Sequence, residues 1–192
     1  MSETIRSFIA IELPEAVVGL LGKVQQDLKS LRLKAGWVRP QNIHLTLKFL
    51  GNIKTDDIEK IGGAMKEAAQ DCGPFALTVG GIGFFPGIKR PRVVWVGVGG
   101  QTSLLFALQR NLDDRLAALD FPKEKRPFKG HLTLGRFKHS PASEAIRQVI
   151  EEYSDFGKEE FTIRRIVLFR SDLKPSGAVY SQLLQADLKP EY

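Results

Sequence analysis

The feature that most constrains the fold is a tetrapeptide, His-Leu-Thr-Leu, which the chain contains twice, at residues 44–47 and 131–134. The chain has only three histidines, and two of them open these two copies. A four-residue identity built on so rare a residue type is hard to attribute to chance in a chain of 192 residues. The repeat therefore indicates two related halves.

Both copies are expected to form strands, because threonine favours strands, leucine is compatible with them and the flanking residues are apolar. Side chains alternate between the two faces of a strand, so His44 and Thr46 share one face. The second copy places His131 and Thr133 on one face in the same way. A fold that brings the two polar faces together would create a cleft with two imidazoles and two hydroxyls.

This set of groups suits in-line displacement at a phosphodiester. Histidine has an unperturbed pKa of about 6.5, so it can accept and release protons near neutral pH. One histidine can take a proton from the nucleophile while the other protonates the leaving oxygen. The threonine hydroxyls can donate to the non-bridging phosphate oxygens, where negative charge increases in the transition state.

Each motif also has a simpler interpretation. A single His-x-Thr is more often part of an ordinary half-buried strand than part of a site, and it is the duplication that favours function. A zinc site is disfavoured, because two distant histidines and the single Cys72 leave it short of ligands. We therefore predict no metal.

The composition is that of an ordinary globular protein, with 43% hydrophobic and 26% charged residues. One cysteine allows no intrachain disulfide, which fits a reducing compartment. The N-terminus has no signal-peptide pattern, and no apolar run is long enough to span a membrane. We expect a cytoplasmic monomer without a membrane partner.

The net charge of +6 suits a polyanionic partner such as nucleic acid. Basic residues cluster in three places: around the second motif (Lys123, Lys125, Arg126, Lys129, Arg136), in a loop (Lys89, Arg90, Arg92) and near a late strand (Arg164, Arg165, Arg170). The alternative for each cluster is an ordinary solvated surface.

Periodicity predicts the order strand, helix, strand, helix, hairpin, helix, strand, helix, strands. Some predicted boundaries are specific: a first motif strand over 43–50 that stops at Gly51, a helix capped by Thr55 or Asp56, a helix starting at Ser140-Pro141, one strand over 161–169 and a connector over 171–177. We predict an α+β fold of two similar lobes. Each lobe is a mainly antiparallel sheet backed by helices, and the active site lies in the groove between them.

The paired motifs resemble those of the two-histidine (2H) phosphoesterase superfamily, and most closely its RNA 2′,3′-cyclic phosphodiesterase branch, also called the 2′-5′ RNA ligase family. The likeness covers nearly the whole chain and is carried by residues 6–14, 42–51, 126–136 and 168–173, with Gly177 and Tyr180. It implies a single bilobal domain over residues 1–192. Gly130 departs from the family pattern, which usually has proline before the histidine. We expect a looser loop there with the chemistry intact.

By this resemblance Arg136 joins Thr46 and Thr133 as a phosphate ligand. Regular alternation would instead point Arg136 away from His131, and a bulge at Gly135 could reconcile the two. The alternative for Arg136 is a surface arginine.

The implied reaction is hydrolysis of an RNA 2′,3′-cyclic phosphate end to a 2′-phosphate, without metal or cofactor. We favour His131 as base and His44 as acid. The reverse reaction, with a 5′-hydroxyl in place of water, would be 2′-5′ ligation. The implied partners are RNA ends, such as those of tRNA fragments, or cyclic nucleotides.

Two other functions stay open: a non-catalytic RNA- or nucleotide-binding module, and a phosphodiesterase for a small cyclic nucleotide or an ADP-ribose cyclic phosphate. Trp37, Phe49 and Phe128 are candidates for base stacking, although core packing is the preferred interpretation of each. His139, the third histidine, is assigned no role.

Overall fold

The computed structural model describes residues 3–153, 156–175 and 177–189. The chain forms four helices and nine strands among these residues, in the order β1 (Thr4–Ile11), α1 (Glu15–Ser30), β2 (Gly36–Trp37), β3 (Leu45–Lys54), α2 (Ile58–Gln70), β4 (Phe75–Phe85), β5 (Val93–Gly100), α3 (Thr102–Ala117), β6 (His131–Arg136), α4 (Ser143–Glu152), β7 (Gly157–Ile163), β8 (Arg165–Lys174) and β9 (Gly177–Asp187). In that part of the chain, no helix is long and apolar enough to cross a membrane.

The strands form a sheet in the order β7-β4-β5-β6-β3-β1-β8-β9, with β2 added beside β6. The strand pairs are antiparallel. One lobe contains β7, β4, β5 and β6, and the other contains β3, β1, β8 and β9. The two motif strands β6 and β3 are therefore the inner strands of their lobes. The predicted α+β fold of two antiparallel lobes is confirmed.

The lobes meet where the motif strands touch. Strands β3 and β6 share one registered pair, Leu45 with Leu132, and both of these side chains are fully buried. In an antiparallel pair, moving one residue along one strand moves one residue back along the other. His44 thus lies across from Thr133, and His131 lies across from Thr46.

Helices α1 and α3 hold equivalent places in the two halves, since each leads into a motif strand. Their buried faces have the spacing expected of amphipathic helices: Val17, Leu21, Val24 and Leu28 on α1, and Leu105, Leu108, Leu112 and Leu116 on α3. These residues pack into the core that also contains Leu45, Leu47, Leu132 and Leu134. The leucines of both tetrapeptides therefore anchor the backs of the strands that carry the histidines.

The predicted strand over residues 161–169 is wrong. The structure divides it at Arg164 into β7, which pairs with β4, and β8, which pairs with β1 at the other side of the sheet. The sequence does carry a sign of this crossing, because two successive exposed residues, Arg164 and Arg165, break the apolar alternation between Ile163 and Ile166. The predicted connector over 171–177 is wrong as well, because β8 continues to Lys174 and pairs there with Gly177 of β9.

Three other boundaries differ from prediction. Strand β3 does not stop at Gly51; a bulge with a positive φ of 72° at this glycine lets the strand continue to Lys54. Neither Thr55 nor Asp56 caps α2, because Thr55–Asp57 form a 3-10 turn ahead of it. Helix α4 begins at Ser143 instead of Ser140-Pro141, since Ala142 is extended, with ψ of 139°.

Candidate active site

A cleft of about 560 Å³ opens between the lobes. All five predicted site residues line it: His44, Thr46, His131, Thr133 and Arg136. The cleft also receives side chains from β1, from the segment between α1 and β3, and from the β8–β9 hairpin, among them Arg6, Phe8, Trp37, Arg39, Leu173 and Tyr180.

The two imidazoles are held in the same way. Nδ1 of His44 lies 2.7 Å from the carbonyl oxygen of Asn42, and Nδ1 of His131 lies 2.7 Å from that of Lys129. A carbonyl oxygen can only accept, so each Nδ1 carries the hydrogen. Each Nε2 is therefore left free to exchange a proton with a substrate.

Aromatic rings fix the orientation of His44. Phe8 stacks on it with ring centroids 4.6 Å apart, and Tyr180 meets it edge-on at 5.3 Å. Asn42, whose carbonyl holds the ring nitrogen, donates its side-chain amide to the carbonyl of Ala178 at 2.8 Å. The final hairpin is thus tied to the backbone that positions His44.

His131 has a corresponding pair of aromatic neighbours. Phe85 meets it edge-on at 4.9 Å and Trp95 at 6.2 Å. The ammonium of Lys129 lies 4.6 Å above the Trp95 ring, in a cation–π contact. The tetrapeptides do not reveal these partners, but Trp95 is the registered cross-strand neighbour of Thr133.

Both histidines favour the neutral form. Burial is the main cause that lowers the pKa of His44, with a smaller contribution from the charge of His131. Burial also lowers the pKa of His131, and the cations Arg136 and Lys129 lower it further. In each case the hydrogen bond to the backbone carbonyl acts in the opposite direction.

A β-bulge interrupts both motif strands at the same motif position. In β3 the register skips Leu47, since Ile9 pairs with Lys48 and Ala10 with Thr46. In β6 it skips Leu134, since Val94 pairs with Gly135 and Trp95 with Thr133. A bulge shifts the alternation by one residue. The bulge considered at Gly135 is found one residue earlier, at Leu134, and it directs Arg136 toward the cleft.

The bulge in β3 has the same effect on Phe49. Regular alternation would place Lys48 beside Thr46 on the cleft face, yet Lys48 is buried and Phe49 lines the cleft with 57% of its surface exposed. Core packing was therefore the wrong interpretation of Phe49. Phe49 lies three residues after Thr46, and Arg136 lies three residues after Thr133.

Each bulge is contacted by one buried glutamine, which comes from a helix of the other half of the chain. The side-chain amide of Gln25 on α1 donates to the carbonyl oxygens of Leu134 at 2.8 Å and of Val38 at 2.7 Å. Gln109 on α3 donates to the carbonyl of Leu47 at 3.5 Å, a longer and weaker bond. Sequence reasoning missed both residues, although each is a polar residue on an otherwise apolar helix face.

The remaining predictions concern two aromatic residues, one glycine and the third histidine. Phe128 packs edge-on against Phe106 at 5.9 Å and joins the core, which confirms the packing interpretation. Trp37 does both, because it packs against the core and lines the cleft. Gly130 is closely packed and not loose, since a Cβ there would lie 2.7 Å from Cγ2 of Val98. His139 is exposed outside the cleft.

The basic clusters differ in their surroundings. In the late cluster, Arg165 pairs with Glu12 at 3.2 Å and Arg170 pairs with Asp172 at 3.0 Å. Arg92 of the loop cluster donates to the carbonyl of Lys138 at 3.2 Å. The cluster around the second motif is the one that reaches the cleft, through Arg136.

Comparison with known proteins agrees with this geometry. The family model described as LigT like Phosphoesterase matches the chain twice, at residues 11–95 and 96–180, with one tetrapeptide in each match. A curated protein named RNA 2′,3′-cyclic phosphodiesterase, from Thermotoga maritima, is 32% identical over 184 residues, covering 96% of each chain. A protein of the same name from Methanothermobacter thermautotrophicus is 30% identical over 93% of this chain and 96% of its own.

Solved structures share the fold. A Thermus thermophilus protein superposes with a TM-score of 0.79 at 28% identity, covering 98% of this chain and 100% of its own. Escherichia coli LigT in complex with 3′-AMP gives a TM-score of 0.77 at 23% identity, covering 97% and 99%. The duplicated family match spans both lobes, and the chain belongs to the LigT-like phosphoesterase family.

Proposed function

We propose that this enzyme hydrolyses RNA ends that carry a 2′,3′-cyclic phosphate and leaves a 2′-phosphate on the RNA. The observation that carries the proposal is the convergence of His44, Thr46, His131 and Thr133 on one cleft, with Arg136 beside them. The curated relatives at about 30% identity carry the name RNA 2′,3′-cyclic phosphodiesterase, which supports the RNA end as substrate.

The reaction needs one base and one acid. Water attacks phosphorus and gives a proton to Nε2 of one histidine. The bond from phosphorus to O3′ breaks, and Nε2 of the other histidine protonates that oxygen. The products are a 3′-hydroxyl and a 2′-phosphate. The base ends the step protonated with a proton from water, and the acid ends it neutral because its proton is on O3′.

We assign His131 as the base and His44 as the acid. A base must be neutral before the reaction, and the cations Arg136 and Lys129 add to burial in lowering the pKa of His131. The pKa of His44 is also lowered, by burial and by the charge of His131. The bound phosphodiester anion would favour the protonated form of His44.

Three groups would stabilise the developing charge on the phosphate. Thr46 and Thr133 each lie two residues after a histidine, on the same face of the strand, and both line the cleft. Arg136 lines the cleft beyond the bulge in β6. Donors placed in advance of the reaction lower the barrier because they need no reorganisation when charge develops. No step in this scheme requires a metal ion.

The direct test is product identity. An RNA oligonucleotide ending in a 2′,3′-cyclic phosphate is incubated with the enzyme in excess EDTA, and the product phosphate is located by chromatography against 2′- and 3′-phosphate standards. A 2′-phosphate product is expected. A 3′-phosphate, or RNA bound without turnover, would contradict the proposal. Supplying an RNA with a 5′-hydroxyl in the same assay tests the reverse 2′-5′ ligation.

A further inference from the structure

A second cavity, of about 440 Å³, adjoins the catalytic cleft. We call it the side groove. It lies between the middle of β3 and the loop after α3, and its walls include Phe49, Leu50, Phe121, Lys123, Lys125 and Arg126. Phe49 lines both the side groove and the cleft, so the two cavities meet at this side chain.

The exposed ring of Phe49 is suited to a ligand. With 57% of its surface exposed, it presents an apolar face to solvent at the boundary between the cavities. It takes the position in the first motif that Arg136 takes in the second, so the duplicated architecture places one flat ring and one cation beside the reacting phosphate. A nucleobase is the RNA component that stacks on such a ring.

The loop after α3, which carries Lys123, Lys125 and Arg126, is fixed in place by a buried ion pair. Nζ of Lys48, whose side chain is 2% exposed, lies 2.5 Å from Oδ1 of Asp113 on α3. The same Nζ donates to the carbonyl oxygen of Pro122 at 2.6 Å, and the backbone N–H of Glu124 donates to Asp113 at 3.4 Å. The start of the loop is thus anchored next to Phe49, the residue that follows Lys48.

Two cations of this loop are available to a ligand. Lys123 already pairs with Asp114 at 2.6 Å. Lys125 and Arg126 are both exposed, and neither has an ion pair with another residue in the described part of the chain. The one carboxylate on the wall is that of Glu124, so the side groove has an excess of positive charge.

We propose that the side groove binds the RNA strand upstream of its reacting end, with Phe49 stacking on a base and Lys125 and Arg126 binding phosphates. This inference rests on the proposed function. A 2′,3′-cyclic phosphate exists only at the 3′ end of a strand, so the remaining nucleotides must leave the cleft in the 5′ direction. The side groove is contiguous with the cleft and carries the charge and the aromatic surface that a single strand needs. The preferred substrate is therefore an oligonucleotide and not a cyclic mononucleotide.

The test compares two substrates with the same terminal nucleoside, a 2′,3′-cyclic mononucleotide and a short oligonucleotide that ends in it. For the oligonucleotide, the K125Q/R126Q double variant should raise KM roughly tenfold with kcat unchanged, because it removes contacts made equally in ground and transition states. For the mononucleotide, both constants should stay within twofold. The slope of log kcat/KM against log salt should also become shallower, by about 0.7 for each lost phosphate contact.

The matched control is K60Q/K66Q, which removes two exposed cations from α2 that line neither cavity. It should leave both substrates unaffected. Phe49→Ala should lower the preference for the oligonucleotide over the mononucleotide by about tenfold, as loss of one stacked base would. Equal kcat/KM of the wild type for both substrates, or equal effects of K125Q/R126Q and K60Q/K66Q, would overturn the proposal.

A binding measurement separates failure of this inference from failure of the proposed function. Fluorescence anisotropy with a 5′-labelled oligonucleotide ending in a 3′-phosphate needs no turnover. If the wild type hydrolyses neither substrate yet K125Q/R126Q weakens this binding relative to K60Q/K66Q, the side groove is supported and the hydrolase proposal is wrong. If the affinity is the same in both double variants, the side groove is not an RNA site.

Discussion

The side-chain amide of Gln25 donates to the carbonyl oxygen of Leu134 at 2.8 Å, across a separation of 109 residues. Gln25 belongs to the first half of the chain, and Leu134 is the bulged residue of the second motif. In the same way, Gln109 of the second half donates to the carbonyl oxygen of Leu47, the bulged residue of the first motif. Each half therefore supports the motif strand of the other half.

Replacing Gln25 by leucine keeps a side chain of similar size but removes both donors. The carbonyls of Val38 and Leu134 then lose a partner, and the free energy of unfolding should fall by about 1–3 kcal/mol in urea denaturation. Because the bulge directs Arg136, kcat/KM should fall as well. Gln148→Leu on exposed α4, which removes a bond to Glu152 of 2.9 Å, is the control and should change stability by less than about 0.5 kcal/mol. Equal behaviour of the two variants would show that the bulge needs no support from Gln25.

The ion pair of Lys48 and Asp113 predicts an asymmetric response to mutation. Asp113→Ala leaves a buried ammonium without its partner and should lower the free energy of unfolding by about 3–5 kcal/mol. The double variant K48M/D113L removes both charges and should recover most of that loss in the same urea titration. A double variant as unstable as Asp113→Ala would indicate that packing, and not the unpaired charge, causes the effect.

Arg136 should matter for activity and not for stability, because its side chain is exposed at the cleft. Arg136→Gln should lower kcat/KM by roughly 10- to 100-fold, the range expected for a lost hydrogen bond to a charged group. Steady-state kinetics with the cyclic-phosphate oligonucleotide measures this. Arg92→Gln removes an exposed arginine that faces the carbonyl of Lys138 instead of the cleft, and it should retain wild-type kinetics. Similar losses in the two variants would make Arg136 an ordinary surface charge.

The lowered pKa values of the histidines predict the pH dependence of activity. The reactive form has one protonated and one neutral histidine. The plot of kcat/KM against pH should therefore be bell-shaped, with its maximum between the two apparent pKa values of the histidine pair. Burial lowers the pKa of both groups from the ordinary 6.5, so the maximum of kcat/KM should lie below pH 6.5. The maximum of kcat should lie at higher pH, because the bound phosphate anion stabilises imidazolium. A kcat/KM maximum well above pH 6.5 would contradict the desolvation of the two rings.

The sequence was sufficient to predict the fold class because the repeated tetrapeptide and the helix periodicity are local signals. Alternation places Leu45 and Leu132 on the face opposite the histidines, and they form the registered pair that joins the lobes. The same alternation argument failed for Phe49. The bulge at Leu47 depends on pairing with β1, and a single strand contains no information about that register.

The partners of the histidines were not predictable for a related reason. Phe8 and Tyr180 come from strands at opposite ends of the chain. Phe8 meets His44 because β1 pairs with β3, whereas Tyr180 meets it because β8 pairs with β1 and β9 pairs with β8. The chain passes from β7 to β8 through Arg164 and Arg165, which break the apolar alternation but do not show which strand β8 pairs with. Positions that depend on a crossing between lobes need the tertiary structure.

The most direct measurement is hydrolysis of a 2′,3′-cyclic phosphate RNA end, in excess EDTA, by the wild type and by three alanine variants. His44→Ala and His131→Ala should each lower kcat by about 100-fold or more, the contribution of a lost general acid or base. His139→Ala replaces the third histidine, which is exposed outside the cleft, and should match the wild type. Circular dichroism confirms that all four proteins are folded. If either His44→Ala or His131→Ala retains wild-type kcat, the two-histidine mechanism is wrong.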